Sequence, residues 1–185
     1  MNLKNHFIIA MPTLNDALFG RSVVYICEHN QDGAMGIIIN KPIEDLTIQT
    51  VLSRLDITPY KNCAELEQPV FIGGPLAEEQ GFILHSPQKG FSSSITISDD
   101  VMITTSLDVL KSIGSVEQPK DLLLSLGYAS WGDRQLEYEI AQNDWLVTQA
   151  KSDIIFESPI DERWRLAAQS IGVNIETMSI QMGKA

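Results

Sequence analysis

Cys27-Glu28-His29 sets a thiol, a carboxylate and an imidazole in a row, the side-chain types that ligate metals or form a nucleophile with its base. The other two histidines, His6 and His85, also fall in the first half of the chain. The tripeptide lies in a strand expected from Ser22 to His29, where successive side chains point to opposite faces. Cys27 and His29 should then share one face and Glu28 the other, so three ligands cannot converge from the tripeptide alone. A zinc site would need His6 or His85 to join across the fold. Cys27 with His29 remains a candidate nucleophile and base for hydrolytic or redox chemistry. Two facts weigh against it. Residues two apart on a strand are separated by roughly 6.5–7 Å, long for a direct hydrogen bond, and no G-x-S-x-G motif accompanies them. The plainer reading is a buried apolar cysteine and a hydrogen-bonded histidine at a strand end.

Two glycine-rich segments could hold an anion. Gly73-Gly74-Pro75 follows the buried-type strand Val70-Phe71-Ile72, but it has no lysine, no G-x-x-x-x-G-K-[ST] pattern and no G-x-G-x-x-G fingerprint. A tight structural turn is the better reading. Gly127 to Gly132 puts Tyr128 and Trp131 at an expected strand-to-helix junction, where backbone N–H groups could face an anion. Aromatic rings filling the core, with glycines permitting close packing, is the alternative. Arg163 and Arg165 flank Trp164 and are too few for a nucleic-acid stripe.

The whole chain constrains these readings. Its 185 residues carry 24 acidic against 13 basic side chains, a formal charge of −11. That balance disfavours nucleic acid and anionic membrane as partners. Hydrophobic residues make up 44% and charged residues 20%, ordinary globular proportions that exclude a disordered chain. Cys27 and Cys63 form no C-x-x-C unit, which argues against a disulfide framework and for a reducing compartment. The apolar run from Phe7 to Met11 is too short for a signal peptide, and no run approaches the roughly 20 residues of a membrane span. A cytoplasmic location is expected.

The elements that must position these residues are strands first. Phe7 to Ala10, Ser22 to His29 and Ala34 to Asn40 read as strands, with Asn30-Gln31-Asp32-Gly33 as a hairpin loop. Ile37-Ile38-Ile39 suggests burial on both faces, until Pro42 stops the strand. Ile48, Val51, Leu52 and Leu55 have helical spacing, with Thr47 as N-cap. Strands are expected again at Phe82 to His85, Ile95 to Ile97, Val101 to Thr105, Leu122 to Leu126, Trp145 to Val147 and Ile154 to Phe156. Helices are expected after Ser106, from about Asp133 to Asn143 with Glu137 and Glu139 exposed, and along the stripe Ile160, Trp164, Ala167, Ala168 and Ile171. In that last helix Ser158 reads as a cap and Gly172 as the stop. Hairpins with interspersed helices indicate a mixed α+β domain, in one domain over residues 1–185. The tail after Glu176 has little patterning.

Several long segments resemble one bacterial family. His6 to Pro12, Arg21 to His29, Gly33-Ala34-Met35-Gly36 and Asn40-Lys41-Pro42 are similar to the N-terminal signature of the YqgE/AlgH family. Gly73-Gly74-Pro75, Gly81 to His85, Gly127-Tyr128-Ala129, Gln135-Leu136-Glu137 and Arg163-Trp164 match its later blocks in order. Ala17, Ser130 and Arg134 depart from it, the last two standing where the family commonly has glycine. The resemblance implies an α+β fold whose bifurcated sheet curls into a pseudo-barrel with several flanking helices. No catalytic residues are established for that family, and from the residues themselves neither a cofactor nor a metal is expected. The resemblance carries a suggested role in transcriptional control of alginate synthesis; without a DNA-reading helix, such control would run indirectly through an unidentified protein or small-molecule partner. The contact surface is expected where the motifs converge, at His6, Pro12, Glu28, His29, Asn40, Pro42, Gly73, Gly74, His85 and Tyr128. A non-catalytic binding or regulatory protein is the leading expectation, and an enzyme using Cys27 and His29 the alternative.

Overall fold

The computed structural model describes residues 1–182. Strand β1 (His6–Ala10) lies between β2 (Val23–Asn30) and β10 (Trp145–Gln149), antiparallel to both. A two-residue turn leads from β2 to β3 (Gly33–Ile38), where Gly33 takes a φ of 137° and Asn30 Oδ1 accepts the Asp32 N–H at 2.8 Å. Next to β3 comes β9 (Leu122–Trp131), followed by β6 (Leu76–His85), β8 (Met102–Thr104) and β7 (Ser94–Thr96). This sheet curls into a half-barrel, and the architecture is α+β, as the resemblance implied.

The sheet forks at β9. Its Ala129–Trp131 end pairs with β3, while Ser125 and Leu126 pair in parallel with β5 (Pro69–Ile72), which in turn holds β4 (Pro42–Thr47). Gly73-Gly74-Pro75 then carries the chain across β9 to become β6 on its other edge. At that crossing backbone meets backbone. A Cβ on Gly74 would lie 2.0 Å from the Tyr128 carbonyl carbon, and one on Gly73 would lie 2.2 Å from Gly127 O. Gly127 itself takes a φ of 76°. The glycine motif is thus a structural crossing, and Gly127 to Gly132 is not a strand-to-helix junction: β9 runs through to Trp131.

Alternation sorts the side chains into three cores. Phe7, Ile9, Tyr25, Cys27, Ile37, Phe82 and Leu123 point into the half-barrel, where Ile155, Trp164 and Ala167 close over them. Ile8, Ala10, Val24, Ile26, Ile38, Ala129 and Trp131 point the other way, against Leu3, Leu136 and Trp145. Ile83, Leu122 and Leu124 form a third core with Ile48, Leu52, Val109 and Leu110. The Ile37-Ile38-Ile39 run is buried on both faces, as its composition required.

Helix α1 (Ile48–Arg54) is capped by Thr47, whose hydroxyl accepts from the Thr50 N–H. Strand β3 ends at Ile38, ahead of Pro42 as expected, and Pro42 itself opens β4, a place where its missing N–H costs no ladder bond. Elsewhere local signals misled. Ile154-Ile155-Phe156 belongs to helix α4 (Ser152–Phe156), not a strand; both isoleucines are buried, so packing overrides their β preference. Ser106 does not cap α2 (Asp108–Lys111), nor Ser158 the helix after it: Ser158 Oγ donates to Asp153 O, and the expected last helix is a single 3-10 turn, Ile160–Glu162, leading into α5 (Arg163–Gln169). Gly172 ends α5 with a φ of 76°. Helix α3 (Gln135–Ala141) begins after Arg134, which holds the left-handed φ of 56° at a position where glycine would be unstrained. The unpatterned tail forms α6 (Ile175–Met182); its last three residues lie outside the described ones. Among the described residues no helix is long and apolar enough to cross a membrane.

Candidate functional site

The strongest candidate is a cavity of about 720 Å³ at the open end of the half-barrel. Cys27 and Glu28 of β2, Met35 of β3, Tyr128 of β9, Gln80 and Phe82 of β6, Ser94 and Ile95 of β7 and Ile103 of β8 line it. Lys4 crosses the mouth and donates from Nζ to Thr96 O at 3.3 Å, tying the N-terminal segment to the far edge of the sheet. The walls are mainly apolar, with Gln80, Ser93, Ser94 and Thr105 as neutral polar groups, and the charged groups, Lys4 and Glu28, are not deeply buried. That combination suits an organic ligand held by its apolar body and oriented by a polar end.

A β-bulge shapes this site. Ile26 pairs with Gly36 and Glu28 with Met35, so Cys27 is the extra residue and the alternation of β2 slips by one. Cys27 therefore follows Tyr25 into the half-barrel, whereas His29 bonds Leu3 of the opposite core and lines a separate cavity with Asp133 and Glu137. The expectation that Cys27 and His29 share a face is corrected by that one inserted residue.

Neither group is set up as a nucleophile and base. Cys27 Sγ donates to Tyr25 O at 3.6 Å, and burial pushes its thiol up, away from the reactive thiolate. His29 Nδ1 accepts the Leu3 N–H at 2.9 Å, which leaves Nε2 as the protonated nitrogen that donates to Glu137 Oε1, also at 2.9 Å. Both ring nitrogens are thus committed. Glu137 is held below the usual carboxyl range, first by its own backbone N–H and then by His29 against a small burial penalty. Among the described residues no group of three or more His, Cys, Asp and Glu is placed to share a metal ion.

The remaining motif residues are dispersed. His6 donates from Nδ1 to Lys4 O at 2.9 Å beside the cavity's mouth segment. His85 is fully buried: Nδ1 donates to Ser86 O at 2.8 Å and Nε2 accepts from Thr104 Oγ1 at 2.7 Å, with burial lowering its affinity for a proton. Asn40 Oδ1 accepts the Val23 N–H and its Nδ2 donates to Arg21 O, clamping the loop before β2. Pro42 opens β4, Gly73 and Gly74 form the crossing, and Pro12 sits in the turn after β1. Of the ten expected contact residues, Glu28 and Tyr128 line the half-barrel cavity and His29 the separate one beside Asp133 and Glu137. Met35 and Phe82 fell within segments of the family resemblance without being singled out, and Ile95 and Ile103 carried no signal beyond strand patterning, because only the curl of the sheet brings their strands around one space.

Glu137 and Glu139 are not idle surface charges as their helical spacing suggested. Glu137 receives His29, and Glu139 Oε2 accepts from the indole nitrogens of Trp131 and Trp145, both at 2.9 Å. The buried Arg163 guanidinium is met by backbone oxygens: it donates to Ile39 O and Ser158 O, with burial drawing its pKa down to about 10.

Comparison with known proteins agrees with this architecture. A family model described as AlgH-like matches residues 7–176. A UPF0301 protein of Pectobacterium atrosepticum is 55% identical and one of Proteus mirabilis 57% identical, each over 187 residues and the full length of both chains. The solution structure of the AlgH protein from Pseudomonas aeruginosa, 38% identical, superposes with a TM-score of 0.79 over 97% of this chain and 94% of that one. Protein DIP2367 from Corynebacterium diphtheriae shares the fold at 18% identity, with a TM-score of 0.72 over 96% and 91%. With its forked half-barrel, its glycine crossing and this near-complete sequence match, the chain belongs to the AlgH-like family.

Proposed function

We propose that this protein is a non-catalytic binding protein of the cytoplasm whose ligand site is the open end of the half-barrel. The observation that supports the reading is the cavity of about 720 Å³, walled by apolar side chains from six strands with Lys4 and Glu28 near its mouth. Such a space fits a small molecule with an apolar body and one polar end. The chemistry around it favours binding over turnover, since burial holds the Cys27 thiol protonated and His29 is committed elsewhere. Regulation then follows as an indirect route: ligand occupancy alters a contact with a protein partner, and the charge of −11 disfavours direct grip on DNA.

The test uses the purified protein, the apolar fluorophore anilinonaphthalene sulfonate and methyl NMR. The dye should bind saturably, shift the methyl signals of Met35, Ile95 and Ile103 selectively, and lose affinity when Gln80→Trp fills the mouth. Small molecules from a bacterial extract that displace it are the candidate ligands. Dye binding that leaves those methyls unmoved, or extract compounds that are converted to products by the protein, would sink the proposal.

A further inference from the structure

On the face of the sheet opposite the Cys27 cavity lies a smaller one, of about 370 Å³. Three aromatic rings wall it. Phe19 meets Trp145 at 5.8 Å and 85°, Trp131 meets Trp145 at 6.2 Å and 84°, and Phe19 meets Trp131 at 6.1 Å and 51°. The carboxylates of Asp16, Glu139 and Asp144 are its charged lining, beside the neutral Ser130 and Gln135, and no lysine or arginine joins them. The geometry is held from several sides. Glu139 Oε2 accepts both indole N–H groups and its Oε1 accepts from Gln135 Nε2 at 3.0 Å. Asp16 Oδ1 accepts the backbone N–H groups of Leu18 and Phe19 at 2.8 and 2.7 Å, which fixes the loop that delivers the Phe19 ring.

Aromatic faces and a negative field both favour a cation. The kind of cation follows from what the lining offers. A metal ion needs several oxygen ligands converging at short range, and among the described residues no group of three or more acidic, cysteine or histidine side chains is so placed. Glu139, with three N–H groups already on its oxygens, supplies charge more than free acceptor sites. A cation that carries its charge on an alkyl surface and needs no hydrogen-bond acceptor suits such a wall best. The geometry points to a binding site for a small quaternary ammonium compound of about the size of choline, distinct from the half-barrel cavity.

The three tryptophans supply the readout. Trp131 and Trp145 line this cavity, whereas Trp164 donates its indole N–H to Ala10 O and packs inside the half-barrel. In a titration of the full chain with choline, followed by the indole N–H signals, those of Trp131 and Trp145 should move saturably and that of Trp164 should stay. Dimethylbutanol, the neutral carbon analogue of choline, should bind about tenfold more weakly or worse. Glycine betaine should also bind more weakly, because its carboxylate meets the acidic lining. Asp144→Asn removes a lining charge whose carboxylate accepts no hydrogen bond among the described residues; it should weaken choline about twofold to tenfold, with the melting temperature and the Trp164 indole signal unchanged. No saturable movement with choline overturns the site, as does an equal response to the neutral alcohol or to betaine, or movement of all three indoles alike.

Discussion

His29 Nε2 donates to Glu137 Oε1 at 2.9 Å across 108 positions of sequence, while His29 Nδ1 accepts the Leu3 N–H. One imidazole thereby joins the N-terminal segment, β2 and α3.

His29→Ala leaves the buried Leu3 N–H without its acceptor and should lower unfolding free energy by about 1–3 kcal/mol in urea titrations. Glu137→Gln should cost under about 1 kcal/mol, because the carboxylate is 39% exposed and its pairing is screened. The sign with pH is defined. A carboxyl held below its ordinary value of 4.5 in the fold stabilises the protein above that value and loses the contribution as pH falls through the lower, folded value. The gap between the wild type and Glu137→Gln should therefore close in acid; a gap that widens there contradicts the assignment.

His85 should titrate below its ordinary 6.5, because burial opposes the charged ring. The stability contributed by its neutral form is present above 6.5 and is lost as pH falls below it toward the folded value. Nitrogen-detected NMR should find the proton on Nδ1, where it reaches Ser86 O. Thr104→Val, which removes the donor to Nε2, should destabilise by about 1–3 kcal/mol.

Cys27 should resist alkylation in the native protein at neutral pH and react freely only in denaturant, as read by mass spectrometry of the labelled peptides. Its burial disfavours the thiolate. Faster labelling of the native thiol than of the denatured one would revive the enzymatic reading.

Gly74→Ala should abolish folding or cost at least about 3 kcal/mol, since its Cβ would meet the backbone of Tyr128 and Ala129 at 2.0–2.3 Å. Gly81→Ala is the control. Its Cβ would find only Leu124 Cδ1 at 3.6 Å, an ordinary contact, and its melting temperature should stay close to the wild type or rise.

What could be read from the chain was local. Thr47 caps α1 because a hydroxyl three residues from an N–H is a short-range fact, and Ile37-Ile38-Ile39 lies between two cores because alternation sends its side chains both ways. Ile154-Ile155-Phe156 misled for the same reason: local preference favoured a strand, and only packing against Trp164 and the half-barrel made it helical. The bulge at Cys27 has no local signature, yet it moved His29 to the other face of the sheet.

Charge, periodicity and turn chemistry act over a few residues, so the acidic α+β character, the central strands and several helix ends were legible in the chain, and its ordered motifs carried the family resemblance. The fork at β9, the glycine crossing, the partners of His29 and Glu139 and the three cavities were set by the folded arrangement and not by any local signal. Each of those depends on residues far apart in the chain meeting at a few ångströms, and only the curl and branching of the whole sheet bring them there.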